Sequence, residues 1–263
     1  MGGYREARRE RTVPGEVMTM KMKDSVLLVT GANRGLGRAL VEEALARGAR
    51  RVYATARDVG SLGPLVELDK TRVVPLALDV TDAASLARAA EMAPDLSMLV
   101  NNAGVLASYG VLTSSEQDIA RDFAVNFYGT LGATKAFLPA LERAGARGQA
   151  AIVNVLSVVS LANMPGLGGY SSSKAAAFSL TQALRVELGK KGIAVHAALP
   201  GAIDTDMVRS FEMAKTSPRV VAKGILDGVE QGLDDIAPDP MSSELYGKWK
   251  HDPRALERTL GTM

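Results

Sequence analysis

The chain has 263 residues, 47% of them hydrophobic and 23% charged, which is the balance of a globular protein and excludes a disordered or collagen-like chain. It contains no cysteine, which excludes a disulfide framework, a zinc–thiolate site and a cysteine nucleophile and fits a reducing compartment. The net charge is only +2, no apolar run approaches the roughly 20 residues of a membrane span, and no signal peptide is recognisable. We therefore expect a cytoplasmic protein.

The basic charge is concentrated at the N-terminus. Residues 1–23 carry six basic and three acidic side chains, so the remainder of the chain is nearly neutral and offers no basic face for nucleic acid. We expect residues 1–23 to be a disordered extension, with binding to an acidic surface as the alternative. Residues 24–263 are expected to form one domain, because no proline-rich or serine-rich linker interrupts them.

Apolar runs and helical patterns alternate along the chain from Val26 onwards. Strands are predicted at Val26–Thr30, Arg51–Ala56, Val73–Leu78, Met98–Asn101, Ala151–Ser157, Ala194–Leu199 and, more weakly, Asp235–Ala237. Helices are predicted at Leu36–Arg47, Ser85–Ala90, Gln117–Leu131, Thr134–Arg143, Ser171–Lys190 and Pro218–Gly232. Nearly continuous apolar strands alternating with helices predict an α/β fold, a doubly wound parallel sheet flanked by helices. Ligands of such sheets bind beyond the carboxyl ends of the strands.

A glycine-rich loop follows the first predicted strand, with the sequence Thr30-Gly31-Ala32-Asn33-Arg34-Gly35-Leu36-Gly37. Gly31 would permit a sharp turn, Gly35 a close approach of a pyrophosphate, and Gly37 the packing of the next helix on the sheet. The residue after Gly37 is Arg38, so the Lys-Ser/Thr ending of an ATP-hydrolysing P-loop is missing. The loop predicts a dinucleotide site, with a purely structural turn as the alternative.

The residue after the second predicted strand is Arg57. At this place a carboxylate selects the ribose 2′-hydroxyl of NAD, whereas an arginine accommodates the 2′-phosphate of NADP. Arg34 in the glycine loop could bring a second guanidinium to the same phosphate. The two arginines favour NADP; the alternative is that both are surface charges and Asp58 selects the cofactor.

Four polar residues suggest proton-transfer chemistry. Tyr170 and Lys174 are four residues apart at the start of a predicted helix and so share one face. A nearby ammonium favours the ionised form of a tyrosine, whose ordinary pKa near 10 is too high for exchange at neutral pH. Ser157 ends a predicted strand at the ligand-binding edge, and Asn126 places an amide on an otherwise apolar helix face. Each residue alone is compatible with simple capping or packing.

Together these motifs resemble the short-chain dehydrogenases/reductases, in the variety with a Thr-Gly-x-x-x-Gly-x-Gly loop and an Asn-Ser-Tyr-Lys tetrad. The resemblance covers roughly residues 26–205 and rests also on Asp79 in Leu-Asp-Val, the run Asn101–Gly104, and Pro200-Gly201 leading to Thr205. It implies a single-domain Rossmann-type fold and transfer of a hydride between a nicotinamide cofactor and a carbonyl carbon.

The resemblance also implies a role for each member of the tetrad. Tyr170 would be the general acid/base, and Lys174 would lower its pKa and hold the nicotinamide ribose. Ser157 would orient the carbonyl oxygen, and Asn126 would support a water relay from Lys174 to solvent.

Cofactor contacts implied by the resemblance follow the carboxyl edge of the sheet. Asp79 would contact the adenine, Ile203 and Thr205 would contact the carboxamide, and for Asn101–Gly104 a purely structural role is equally open. The full set is Gly31, Asn33, Arg34, Gly35, Leu36, Gly37, Arg57, Asp79, Val80, Asn102, Ala103, Gly104, Tyr170, Lys174, Pro200, Gly201, Ile203 and Thr205.

Two regions depart from relatives of known substrate. The Asp-Asp-Ile-Ala-Pro-Asp-Pro run at 234–240 replaces the Val-Asp-Gly-Gly ending of many enzymes that act on acyl-carrier-protein substrates, which disfavours 3-oxoacyl reduction. Residues 205–217 correspond to the family's substrate lid, where Met207, Phe211 and Met213 suggest an apolar or aromatic carbonyl substrate. Ordinary packing of a short helix is the alternative interpretation of these three residues.

We therefore predict an NADP(H)-dependent carbonyl reductase or alcohol dehydrogenase that acts on a small-molecule aldehyde or ketone in the reductive direction, without a membrane or nucleic-acid partner. A non-catalytic dinucleotide-binding sensor or scaffold is the alternative. No metal is expected, because His196 and His251 have no carboxylates at ligand spacing. The resemblance implies a homo-oligomer, a tetramer or dimer, formed through the long helices Gln117–Arg143 and Ser171–Lys190.

Overall fold

The structure, a computed structural model, describes residues 20–263. Residues 1–19, which make up most of the predicted N-terminal extension, lie outside the described residues. No helix between Met20 and Met263 is both long enough and apolar enough to cross a bilayer.

Seven parallel strands form one sheet in the order β3-β2-β1-β4-β5-β6-β7. The doubly wound parallel sheet predicted from the sequence is thereby confirmed. The order of strands reverses between β1 and β4, and in doubly wound sheets this switch point opens a ligand cleft at the carboxyl edge. The strands are β1 (Val26–Val29), β2 (Arg51–Ala56), β3 (Val73–Ala77), β4 (Met98–Asn101), β5 (Ala150–Val155), β6 (Ile193–Ala198) and β7 (Asp235–Ile236).

Helices cover both faces of the sheet. They are α1 (Gly35–Ala46), α2 (Gly63–Val66), α3 (Ala83–Met92), α4 (Glu116–Phe123), α5 (Thr130–Gly145), α6 (Gly168–Gly189), α7 (Pro218–Glu230), α8 (Pro240–His251) and α9 (Pro253–Leu260). Alternation along β1 separates two cores: Leu27 and Val29 pack with α1 and α7, whereas Val26 and Leu28 pack with α3, α5 and α6. Both faces of the sheet are therefore buried under helices, as the continuous apolar strands predict.

The chain from α4 to α5 is one uninterrupted helix, in contrast to the predicted break after Leu131. Its middle, Ala124–Gly129, is a π-helical turn that joins α4 to α5. Gly132 lies within the helix at its contact with α3, where a Cβ would lie 3.0 Å from a methyl group of Leu86. The glycine therefore serves close packing between helices and does not end the helix.

The two C-terminal helices were not predicted from the sequence. Asp239 caps α8 in a capping box with Ser242, and Asp252 accepts a hydrogen bond from the Arg254 backbone N–H at the start of α9. A proline follows each cap at the first helical position, where its missing N–H is no loss. Both helices fold back onto the end of the sheet that carries the cleft, with Leu245 buried in an apolar cluster beside Val158.

The first described residues are part of the core. Met20 and Met22 are buried against the cluster that contains α1 and α7, and the Met22 backbone N–H donates to a carboxylate oxygen of Glu230 on α7 at 3.0 Å. Residues 20–23, which the sequence analysis assigns to the extension, therefore pack with the domain. The reason is that methionines at alternate positions turn one side of an otherwise basic segment into an apolar face.

Candidate functional site

A cleft of about 1640 Å³ runs along the carboxyl ends of the strands. Every residue that the resemblance assigns to cofactor binding lines this cleft, and so does Ser157. The structure thus brings together residues that lie up to 174 positions apart, from Gly31 to Thr205. Asn126 is the member of the predicted site that does not line the cleft.

Close backbone contacts require glycine in the loop between β1 and α1. Gly31 has φ +65° and Gly35 has φ +54°, conformations that other residues rarely adopt. A Cβ on Gly37 would overlap the carbonyl oxygen of Gly31 and the side chain of Asn102. The three glycines therefore allow α1 to begin directly against the loop and the end of β4.

Thr30 and Asn102 hold this loop in place. The Thr30 hydroxyl accepts hydrogen bonds from the backbone N–H groups of Asn102 and Ala103, both at 2.9 Å. The Asn102 amide donates to the carbonyl oxygens of Thr30 and Gly31 at 2.9 and 3.1 Å. Asn101 points the other way and donates to the Asn154 amide oxygen on β5 at 2.8 Å. The run after β4 thus has the structural role left open in the sequence analysis while also bordering the cleft.

The N-terminus of α1 offers hydrogen-bond donors to the cleft. Arg34 occupies the N-cap position, its side chain makes no capping hydrogen bond, and no acidic residue lies in the first turn. Uncapped N–H groups and the positive end of the helix dipole attract phosphate groups. A glycine loop that leaves room for a backbone approach, followed by this helix terminus, fits the pyrophosphate of a dinucleotide.

Charged residues surround the place where a cofactor ribose would lie. Arg57 follows β2, is exposed and lines the cleft. Hydrogen bonds from Thr81, and to a smaller extent the charge of Arg57, lower the pKa of Asp79. Asp58 caps the turn after β2 by accepting the Gly60 backbone N–H at 2.9 Å. Arg34 pairs with Asp206 across the cleft at 3.3 Å, and both side chains are exposed.

Tyr170 and Lys174 lie on the first turns of α6 and are both buried, at 9% and 4% exposure. The Lys174 ammonium donates to the carbonyl oxygen of Val155, the last residue of β5, at 2.9 Å and lies 5.8 Å from the centre of the Tyr170 ring. The tyrosine and lysine therefore face the same part of the cleft, as their spacing predicts.

Burial changes the acidity of both groups. It raises the pKa of Tyr170 above its ordinary value of 10, and the negative charge of Asp122 adds to the effect. Burial lowers the pKa of Lys174 to about 8, while Asp122 opposes this shift. This direction is opposite to the lowering expected from the lysine, because burial destabilises the charged phenolate and Asp122 adds a further negative charge nearby.

Ser157 follows β5 and begins a short 3₁₀ turn. Its hydroxyl accepts the Val159 backbone N–H at 3.3 Å and lies 3.5 Å from the Pro200 carbonyl oxygen. The side chain is half-buried and reaches the cleft. Ser157, Tyr170 and Lys174 therefore present a hydroxyl, a phenol and an ammonium to one continuous space.

Asn126 is buried in the π-helical turn, and protein groups engage its amide. The amide nitrogen donates to the carbonyl oxygen of Val105 and to the Ser173 hydroxyl, both at 2.9 Å, and the amide oxygen accepts the Val105 N–H at 3.0 Å. These bonds join the loop after β4 to α6. In the structure the side chain therefore ties the walls of the cleft together rather than facing its interior.

Asp122, one turn before Asn126, was missed in the sequence analysis. It is fully buried, and its carboxylate accepts hydrogen bonds from the backbone N–H groups of Ala107 and Ser108 and from the Ser108 hydroxyl. It also acts electrostatically on Tyr170 and Lys174. An aspartate on the same helix face as Asn126, where apolar residues are expected, was the signal that could have revealed it.

Comparison with known proteins identifies the family. The model of the short chain dehydrogenase family matches residues 25–216, about three quarters of the chain. The protein belongs to the short-chain dehydrogenase/reductase family. A "Short-chain dehydrogenase PC-15" from Penicillium crustosum is 38% identical over 190 residues, covering 70% of this chain and 68% of that protein. The chain spans about two thirds of the length of the curated relatives that it matches first.

Solved structures of other short-chain dehydrogenases share the fold. A short chain dehydrogenase from Burkholderia cenocepacia J2315 in complex with NADP is 37% identical, with a TM-score of 0.83 over 92% of this chain and 99% of that chain. A short-chain dehydrogenase/reductase from Burkholderia phymatum in complex with NAD is 23% identical, with a TM-score of 0.77 over 90% of this chain and 96% of that chain. The second likeness concerns the fold alone.

The cleft of this family member has a polar and an apolar part. The polar part contains the glycine loop and Arg57. The apolar part is formed by residues 158–167, 207–213 and 240–263, and in these segments every residue that lines the cleft is apolar. Phe211 and Met213 of the predicted lid pack on the cluster that contains Tyr170, and both also line the cleft. The contribution of α8 and α9 was missed because their pattern carries no recognised motif.

Proposed function

We propose that this oxidoreductase uses NADP(H) to reduce an aldehyde or ketone to the alcohol. The observation that carries the proposal is that Ser157, Tyr170 and Lys174 line the same cleft as the glycine loop. In this arrangement a carbonyl group beside the tyrosine lies in the space that a cofactor bound at the loop would border. Fold alone would not support an enzyme, because the same sheet serves binding proteins.

Residues of the polar part would hold the cofactor. The backbone of the glycine loop and the N-terminus of α1 would bind its pyrophosphate, and the buried Lys174 ammonium would bind hydroxyls of the nicotinamide ribose. When bound, the cofactor supplies the hydride. The remaining contacts are those assigned to the cleft residues above, from Gly31 to Thr205.

Tyr170 is proposed to donate the proton to the substrate oxygen. Burial raises the pKa of Tyr170, so the phenol carries its proton at neutral pH and is in the form that a proton donor requires. Ser157 would donate a second hydrogen bond to that oxygen and fix its position. Lys174, with its pKa lowered to about 8, remains largely cationic at neutral pH and would stabilise the phenolate that forms. Asn126 would keep the walls in register through Val105 and Ser173.

Two arginines support a preference for NADPH over NADH. Arg34 and Arg57 both line the cleft with exposed guanidinium groups, and guanidinium pairs well with phosphate. Asp58, the alternative selector, is engaged as a cap by Gly60. The NADP complex of the similar Burkholderia cenocepacia protein agrees with this preference.

We also propose a cytoplasmic homo-oligomer formed through α4, α5 and α6. Tyr128, in the turn between α4 and α5, is 63% exposed, and Val186 on α6 is 70% exposed. Both side chains lie on the helices through which the family resemblance implies contact between subunits. Light scattering after size-exclusion chromatography tests this; a monomer at micromolar concentration would contradict it.

The experiment that tests the function measures NADPH and NADH oxidation by the purified protein against a panel of aldehydes and ketones. We expect turnover that prefers NADPH and falls by about 10²- to 10⁴-fold in Tyr170→Phe, the usual contribution of general acid catalysis. The affinity of the variant for NADPH should be unchanged. Tyr53→Phe, which removes a hydroxyl that is bonded to Asp95 outside the cleft, is the matched control and should retain full activity.

A non-catalytic sensor or scaffold remains the competing function. It predicts tight NADPH binding without turnover of any carbonyl compound and no difference between the wild type and Tyr170→Phe. Substantial residual turnover in Tyr170→Phe would instead leave the enzyme in place and remove Tyr170 from its proposed role.

A further inference from the structure

The apolar part of the cleft is built from segments that are distant in sequence. Residues 158–167 follow β5, residues 207–213 follow β6, and residues 240–263 form the C-terminal helices and the turn after them. Tyr170 belongs to the same buried cluster as Leu245 and Leu260, with Phe211 and Met213 packed against it. Tyr170, the proposed proton donor, therefore lies at the edge of this apolar part of the cleft, which we call the apolar wall.

Charge is confined to other parts of the cleft. The charged lining residues belong to the glycine loop and α1, to the ends of β2 and β3, to α4, and to the region of Asp204, Asp206 and Arg219, besides Lys174 itself. Among the described residues, the three apolar segments contribute no charged side chain to the lining. A charged substituent placed on this wall would lose its hydration without gaining a partner, which is costly.

Methionine is unusually frequent on this wall. Met164, Met207, Met213, Met241 and Met263 all line it, and they are five of the chain's 11 methionines. Unbranched, polarizable thioether side chains change rotamer easily and fit ligands of different shape. Met207 and Met263 are 41% and 53% exposed, so the wall also reaches solvent and can accept an extended ligand.

We propose that the substrate is an uncharged carbonyl compound with a long alkyl chain or an apolar ring system, and that the apolar wall binds this chain or ring system. This inference rests on the proposed function, because it takes the carbonyl group to lie beside Tyr170. It assigns to residues 158–167, 207–213 and 240–263 the selection of substrates by apolar area rather than by specific hydrogen bonds. Several substrates of similar apolar area would then be accepted.

A series of straight-chain aldehydes from propanal to decanal tests the inference. We expect kcat/KM to rise about fourfold for each added methylene until the wall is covered, as burial of a methylene implies. Aldehydes of the same length with a carboxylate at the far end should be poorer substrates by at least a hundredfold where that end lies on the buried part of the wall. A flat series, or equal use of the charged compounds, would overturn the inference while leaving the reductase function intact.

Met213→Gln places a polar amide of similar size on the wall. We expect kcat/KM for decanal to fall about tenfold and that for propanal to change less than twofold. Met92→Gln is the matched control, since Met92 is 60% exposed at the end of α3 and does not line the cleft. Equal losses on both aldehydes in Met213→Gln would mean that residue 213 supports the site without contacting the apolar chain.

A binding measurement separates the two proposals. Calorimetry with 1-decanol and 1-propanol, in the presence of NADPH, reports contact with the wall without any turnover, because an alcohol cannot accept the hydride of NADPH. Much tighter binding of decanol, lost in Met213→Gln, supports the apolar wall even if no carbonyl compound is reduced and the proposed function fails. Equal affinity for both alcohols contradicts the wall whatever the activity.

Discussion

The Lys174 ammonium donates a hydrogen bond of 2.9 Å to the carbonyl oxygen of Val155. The bond anchors a buried cation on α6 to the end of β5, two residues before Ser157. A lysine side chain with four rotatable bonds is thereby held in one position in the cleft, at the cost of much of its hydration. Burial of this ammonium also lowers the pKa of Lys174 to about 8.

This relationship predicts a pH dependence of cofactor binding. With the pKa of Lys174 lowered to about 8, the fraction carrying an ammonium falls as the pH rises through that value. If the ammonium binds the ribose, the affinity for NADPH should fall above pH 8 by up to tenfold per pH unit. The dissociation constant is measured by fluorescence between pH 6 and 10. Lys174→Met should bind weakly and without this dependence, whereas the exposed Lys135→Met should behave as wild type. Constant affinity up to pH 10 would contradict the role of the lysine.

Arg57→Ala tests the choice of cofactor. Loss of a guanidinium from the 2′-phosphate removes a charge-assisted contact of about 1.5–3 kcal/mol, so we expect KM for NADPH to rise by roughly ten- to a hundredfold. KM for NADH should hardly change. Arg50→Ala is the control, because Arg50 is an exposed arginine at the opposite end of β2, paired with Asp95. An equal rise for both cofactors would place the selectivity elsewhere.

Gly37→Ala tests the close contact between the glycine loop and α1. The added Cβ would overlap the carbonyl oxygen of Gly31, so the helix must shift. We expect a loss of about 1–3 kcal/mol in the free energy of unfolding and a weaker affinity for NADPH. Gly247→Ala in α8 meets open space and should stabilise by about 0.5–1 kcal/mol. Denaturant titrations measure both, and an unchanged Gly37→Ala protein would contradict the steric account.

Asp122→Asn tests the buried carboxylate behind the proposed active site. An amide offers one acceptor oxygen in place of two, so the N–H of Ala107 or Ser108 loses its partner. An unsatisfied buried donor costs about 1–3 kcal/mol of stability. Asp118, one turn earlier on α4, accepts a hydrogen bond from the exposed Ser115. The control variant Asp118→Asn should therefore lower the free energy of unfolding by no more than about 0.5 kcal/mol. Equal stability of the two variants would show that Asp122 does not hold the loop.

Much of the arrangement of the candidate site could be predicted from local sequence. The glycine loop and the Tyr170–Lys174 spacing have fixed geometric meaning, because the first follows a strand and the second lies within one helix. Asn126 was identified as unusual, but its hydrogen bonds to Val105 and Ser173 depend on two other elements. Asp122 was missed for the same reason, since its hydrogen-bond donors lie on a loop 14 and 15 residues earlier.

The sequence by itself determined the alternation of strands and helices, the place of the glycine loop and the family, because these depend on residue periods and short spacings. Only the tertiary structure decided which way the polar side chains point and how acidic Tyr170 and Lys174 are, because burial is a property of the packed chain. The tertiary structure also decided which residues form the apolar wall. Segments separated by up to about 100 residues contribute to this wall, and no local pattern links Met164 to Met241 or to the C-terminal turn that carries Met263.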